Sequence, residues 1–164
     1  MPKFIISGPM DIPIQQKKRA VDVVGFRELI REEYEAFDKA GCYVFSTKSS
    51  RGSTPWYVDK HLVRISMHIA GKKHTDILNA ILKRIERGRL QVWTITQHGR
   101  GPRSKASIEE IKASLTQMAL RKNPDLLNED PTEGGKWVID GLQPGRKRMS
   151  EKVKTFLATV ARRQ

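Results

Sequence analysis

Two tyrosines, an aspartate and a lysine crowd into one short stretch, GCYVFSTKSSRGSTPWYVDK, residues 41–60. Tyr43 and Tyr57 fall in two β-forming runs separated by a polar loop, so the phenol groups can share one face of a hairpin. Asp59 is a good helix N-cap type. Behind it Lys60, Arg64 and His68 recur at i, i+4 and i+8, which on a helix makes one cationic stripe opposite Leu62, Ile65 and Ile69. A cationic stripe suits an anionic group such as a phosphate. Other chemistries find little support. Cys42 is the single cysteine, so no intrachain disulfide forms, and its place before Tyr-Val-Phe predicts a buried strand thiol. His61, His68 and His74 lack the paired spacing of a zinc site. No P-loop or dinucleotide fingerprint occurs.

The net charge of +13, from 31 Lys and Arg against 18 Asp and Glu, makes a polyanion the natural partner. Two basic segments stand out. The loop containing Arg100, Arg103 and Lys105 is one. The C-terminal segment is the other: Arg146, Lys147 and Arg148 follow Pro144-Gly145, and four more cations follow them against the lone Glu151. Contacts of this kind hold a nucleic-acid backbone without reading bases. Trp56, Trp93 and Trp137 lie in strand-like runs and read as core. No apolar run approaches the ~20 residues of a membrane span, and the N-terminus lacks the pattern of a secretory signal. The expectation is a cytoplasmic protein with no membrane partner.

The elements that must position these residues follow from periodicity. KFIISG is a short strand, and Pro9 and Pro13 suggest an extended lead-in. Phe26, Leu29, Ile30, Tyr34 and Phe37 mark a helix over about 25–39, closed by Gly41. Strands are expected over 42–47 and 56–58, with 48–55 as the loop between them. A helix from Lys60 to Ala70 would follow Asp59 and stop at Gly71. Another helix runs over about 75–87, then a strand over 90–97. Ser107 would cap a helix over 108–122, with Glu110 at the capping-box position. Residues 136–142 read as a strand, and a last helix starts near Ser150. Short strands set among helices without regular βαβ alternation predict an α+β fold, a small antiparallel sheet flanked by helices, in a single domain over 1–164.

Gly41-Cys42-Tyr43 and Tyr57-Val58-Asp59-Lys60, with Pro124 and Asn128 in NPDLLN, resemble the paired motifs and the ending of GIY-YIG nucleases. The resemblance covers about residues 41–128. It implies divalent-metal-dependent hydrolysis of a phosphodiester in DNA, with magnesium or manganese as cofactor. Tyr43 and Tyr57 match the two motif tyrosines, and Lys60 matches the lysine that follows them. The sequence departs from the pattern at three points: Asp59 stands for a glycine, Met67 for an arginine and Lys112 for the metal-binding glutamate. Arg64 and Glu109 lie one helical turn earlier than those last two positions. The expected site is therefore Tyr43, Tyr57, Arg64 and Glu109 in one cleft, with Lys60 at its rim and Glu109 on the metal. The alternatives are a catalytically inactive DNA-binding relative and an RNA-binding protein.

Overall fold

The computed structural model describes residues 2–99, 104–128, 138–139 and 150–161. The strands are β1 (Lys3–Asp11), β2 (Ile14–Gln15), β3 (Ala20–Val21), β4 (Gly41–Ser49), β5 (Gly52–His61), β6 (Arg89–Gln97) and β7 (Val138–Ile139). The helices are α1 (Val23–Glu32), α2 (Tyr34–Phe37), α3 (Lys72–Arg84), α4 (Lys105–Lys122) and α5 (Glu151–Val160). The main sheet has the order β5-β4-β6-β1-β7. Its first four strands are antiparallel, and β7 pairs parallel with β1. The fold is α+β, an antiparallel sheet flanked by helices, as the order of elements predicts.

Both faces of the sheet are covered, which is why Cys42-Tyr43-Val44-Phe45 is buried without interruption. On one face Tyr43, Phe45, Tyr57 and Val92 pack with Phe26, Ile30 and Phe37 and with Leu78, Ile81 and Leu82 of α3. On the other, Cys42, Val44, Val58, Trp93 and Ile95 pack under Ile108, Ile111 and Leu115 of α4 and Phe156 of α5. Among the described residues no helix is long and apolar enough to cross a membrane.

Several elements differ from the sequence expectation, each for a local reason. The helix expected over 25–39 is two pieces: Asp22 caps α1 by accepting from the Gly25 N–H, and the chain leaves helical geometry at Glu33. Gly41 closes no helix. It begins β4, where an added Cβ would lie 2.1 Å from the Ile95 carbonyl oxygen. The expected 48–55 loop is strand, because β4 and β5 pair through Ser49 and Gly52 around a two-residue turn. Pairing slips by one residue between Phe45 and Ser46, so Trp56 is the extra residue of a bulge.

The largest correction lies after Asp59. β5 runs on through His61, pairing with Gly41–Tyr43, and the helix expected over 60–70 is one 3-10 turn, Ile65–Met67. The apolar spacing that suggested a helix splits between the two cores: Leu62 packs under α4, whereas Ile65 and Ile69 are buried on the opposite face. Gly71 starts α3 instead of ending a helix. Ser104, not Ser107, caps α4. The tail helix begins after Ser150 as expected, with Ser150 accepting from the Val153 N–H. Of the strand expected over 136–142, residues 138–139 are strand and the rest lie outside the described residues.

Candidate functional site

The hairpin register sets the site. Tyr43 faces Asp59 and Phe45 faces Tyr57, so alternation places all four on one face of the sheet. The Tyr57 hydroxyl donates to Asp59 Oδ2 at 2.8 Å. The Tyr43 hydroxyl lies 3.4 Å from the same oxygen and 2.5 Å from His74 Nε2. His74, buried in the first turn of α3, has Nδ1 2.9 Å from the His68 carbonyl oxygen, which can only accept. Nδ1 therefore carries a proton, and Nε2 lies between the Tyr43 hydroxyl and Asp59 Oδ2, which is 3.5 Å away. The result is a continuous cluster, His74–Tyr43–Asp59–Tyr57, with its carboxylate near the surface.

Asp59 is no helix cap. Its Oδ1 accepts the Lys60 backbone N–H at 2.8 Å and lies 3.7 Å from Lys112 Nζ. Burial alone would raise its pKa, but hydrogen bonding from His74, the Lys60 N–H and Tyr57, together with the Lys112 charge, holds the carboxyl far below the usual range. The Tyr43 phenol moves the opposite way: burial, then the charge of Asp59, push it well above a free tyrosine. Tyr43 is thus a hydroxyl donor rather than a phenolate. Cys42 on the other face is fully buried, its thiol pushed up chiefly by burial, and Sγ donates to the Ile108 carbonyl at 3.3 Å. It is inert, as its sequence context suggests.

The cluster opens to an outer cleft of about 380 Å³ lined by Tyr57, Asp59, Lys73, Ile77, Lys112 and Asn128. Asn128 clamps the free edge of β5: its Oδ1 accepts the Val58 N–H at 2.9 Å and its Nδ2 donates to the Val58 carbonyl at 2.5 Å. Leu127 N–H to the Trp56 carbonyl and Asn123 Nδ2 to the Pro55 carbonyl extend the cover along the same edge. Replacing Asn128 by alanine unpairs both Val58 groups and is expected to cost about 1–2 kcal/mol by urea denaturation; a loss under about 0.3 kcal/mol would mean that water replaces the clamp.

Of the residues expected to converge, Tyr43 and Tyr57 meet at Asp59, while Lys60 and Glu109 meet each other elsewhere. Lys60 alternates onto the opposite face, where Nζ meets Glu109 Oε1 at 2.6 Å. Glu109 is exposed and its acidity is increased by that lysine, first through the hydrogen bond and then through its charge. Arg64 lies after the end of β5, 3.5 Å from Asp38. With no helix over 60–70, the argument from a shared helical face fails for Arg64. On α4, Lys112 turns to the cleft while Glu109 turns to Lys60. The sequence reading considers His74 only as a metal ligand and misses its place beside Tyr43 and Asp59. The signal available was its place near the start of an amphipathic helix following the hairpin.

Among the described residues the donors do not fit a resident magnesium or manganese ion. Both Asp59 oxygens are engaged, Glu109 is paired with Lys60, and no group of three or more His, Cys, Asp or Glu side chains suited to a metal occurs among the described residues. Of the expected backbone-binding residues, Lys105 opens α4 and is exposed. Arg100, Arg103, Arg146, Lys147 and Arg148 lie outside the described residues.

Fold and site together define an α+β protein with a phenol–carboxylate–imidazole cluster behind a lysine-rimmed cleft at a sheet edge. Comparison with protein-family models, curated proteins and solved structures gives no match to the chain.

Proposed function

We propose that this protein binds DNA through its phosphate backbone and acts on a phosphodiester at the tyrosine cleft, in the manner of a GIY-YIG nuclease. The observation that carries this reading is the convergence of the Tyr43 and Tyr57 hydroxyls, one from each strand of the motif pair, on Asp59 behind a cleft with two lysines. A phosphate entering there meets the ammonium groups of Lys73 and Lys112. A phenol oxygen can accept a hydrogen bond while donating one, so Tyr57, oriented by Asp59, can hold a water beside that phosphate. Tyr43 and His74 fix Asp59 from behind. The net charge of +13 supplies the longer-range attraction. The cytoplasm is the compartment this reading assigns.

Magnesium- or manganese-dependent hydrolysis is the reaction implied by the resemblance. The poor fit of the described donors to such an ion favours a second reading, DNA binding without cleavage. Nicking of supercoiled plasmid with magnesium, with manganese and with chelator separates the two. Cleavage by the wild type, reduced about tenfold in Tyr57→Phe (~1.4 kcal/mol in barrier) at unchanged DNA affinity, is the expected result. Tight, salt-dependent DNA binding with no cleavage under any condition selects the second reading. Failure to bind DNA at near-physiological salt, or clear preference for RNA, overturns both.

A further inference from the structure

The β5 edge carries a second opening, at the hairpin end and away from the tyrosine cleft. It is a groove of about 670 Å³ between the β4–β5 turn and α5, into which Lys48, Arg51, Lys122 and Lys154 project, with Thr155 in its wall. Two of the cations are engaged within the protein. Lys154 pairs with Glu151 at 2.6 Å, and Lys122 donates to the Ala158 carbonyl near the end of α5, setting an ammonium against the negative end of that helix. Lys48 and Arg51 have no carboxylate within ion-pair distance among the described residues. Arg51 sits in the tight turn itself, before Gly52 at φ +119°, a backbone value that favours glycine. The hairpin tip thus holds its charge out at the groove while the strands behind it are rigidly paired.

The two openings share their supports. β5 contributes Gly52 and Ser53 to the groove and Tyr57 and Asp59 to the cleft, while α4 contributes Lys122 to one and Lys112 to the other. Six strand residues from Ser53 to Asp59 span roughly 20 Å, and ten helical residues from Lys112 to Lys122 about 15 Å. The two openings are thus about 15–20 Å apart, several times the ~3.4 Å axial rise per base of a strand. We infer that the hairpin groove is a second phosphate anchor for duplex DNA, which holds the backbone about 15–20 Å from the phosphodiester in the tyrosine cleft. This inference rests on the DNA-binding reading above and adds a place and a spacing to it. The contact is to phosphate, so it carries affinity without base sequence.

The test is the salt dependence of binding to a fluorescent 20-base-pair duplex by the full chain, wild type and Lys48→Gln/Arg51→Gln. Circular dichroism confirms that the fold is kept, since both side chains lie at a surface turn. The double variant is expected to bind at least tenfold more weakly at low salt, and equally so on unrelated sequences. The slope of log affinity against log salt should fall in magnitude by about 1.8, two phosphate contacts at ~0.9 each. If the wild type binds and the variant matches it in affinity and slope, the groove is no anchor and the inference fails while the cleft reading stands. If the wild type binds no DNA, the reading itself fails and the inference with it. If the wild type prefers a duplex RNA of equal length tenfold and the variant loses that preference, the assignment to DNA is overturned.

Discussion

Gly41→Ala is expected to destabilise the protein by more than about 4 kcal/mol, or to prevent its accumulation as a folded chain. The new Cβ would lie 2.1 Å from the Ile95 carbonyl oxygen and 3.0 Å from both Ile95 C and Thr96 Cα. All three are backbone atoms of β6, so no side-chain rotation relieves the clash. Strand β4 would have to leave β6 at the point where Gly41 pairs with Thr96 on one side and His61 on the other. The motif pair Tyr43–Asp59 begins two residues further on, so the site would be lost with the pairing. Comparison of thermal or urea unfolding for the two chains checks this, and a variant within 1 kcal/mol of wild type would show that Gly41 is not a packing requirement.

Asp59→Asn is expected to cost about 2–3 kcal/mol at pH 7, an effect an exposed helix cap would not give, since asparagine caps about as well as aspartate. The carboxylate accepts from Tyr57 and from the Lys60 N–H and faces Lys112. An amide can present an oxygen to only one side and sets an N–H group against donors on the other. Charge-assisted hydrogen bonds contribute roughly 1.5–3 kcal/mol each, and at least one is lost. The pH dependence gives an independent signature. Asp59 has a folded-state pKa below its unfolded value of ~3.9, so the unfolded chain binds the extra proton. Its contribution is full above about pH 4 and is lost as pH falls from there toward the folded pKa. The gap between wild type and variant should therefore be widest at neutral pH and narrow below pH 4. Denaturation curves at pH 7, 5, 4 and 3 measure it; a constant gap, or one under 0.5 kcal/mol at pH 7, would remove Asp59 from the centre of the cluster.

What the sequence determined by itself was the inventory of elements and their buried sides. Alternating and continuous apolar runs marked a segment of each of the five strands of the main sheet, and a 3.6-residue stripe identified the helix carrying Leu78, Ile81 and Leu82. Ser150 marked the start of the last helix. These signals are local, because burial acts on a side chain whatever covers it. The same locality explains the errors. Leu62, Ile65 and Ile69 have helical spacing, yet they serve two cores on opposite faces of a sheet, and spacing alone cannot say how many partners are being satisfied. Gly41 follows a helical segment and looks like a stop, but the need for glycine comes from Ile95, which is 54 positions away in sequence.

The site divides in the same way. The two tyrosines were legible, since hairpin alternation fixes which residues share a face once the strands are recognised. The rest depended on how far β5 continues. With Asp59 and Lys60 as neighbours in a strand, they must point to opposite faces, so the carboxylate joins the tyrosines and the lysine leaves with Glu109. On a helix they would have stayed within one turn of each other. Ladder pairing of residues 59–61 with 41–43 decides between these outcomes, and it is made between segments that only the tertiary structure brings together. His74 reaches Tyr43 by the same route: α3 packs on the face that the register gave to the tyrosines, and a 31-residue separation in sequence becomes a 2.5 Å hydrogen bond.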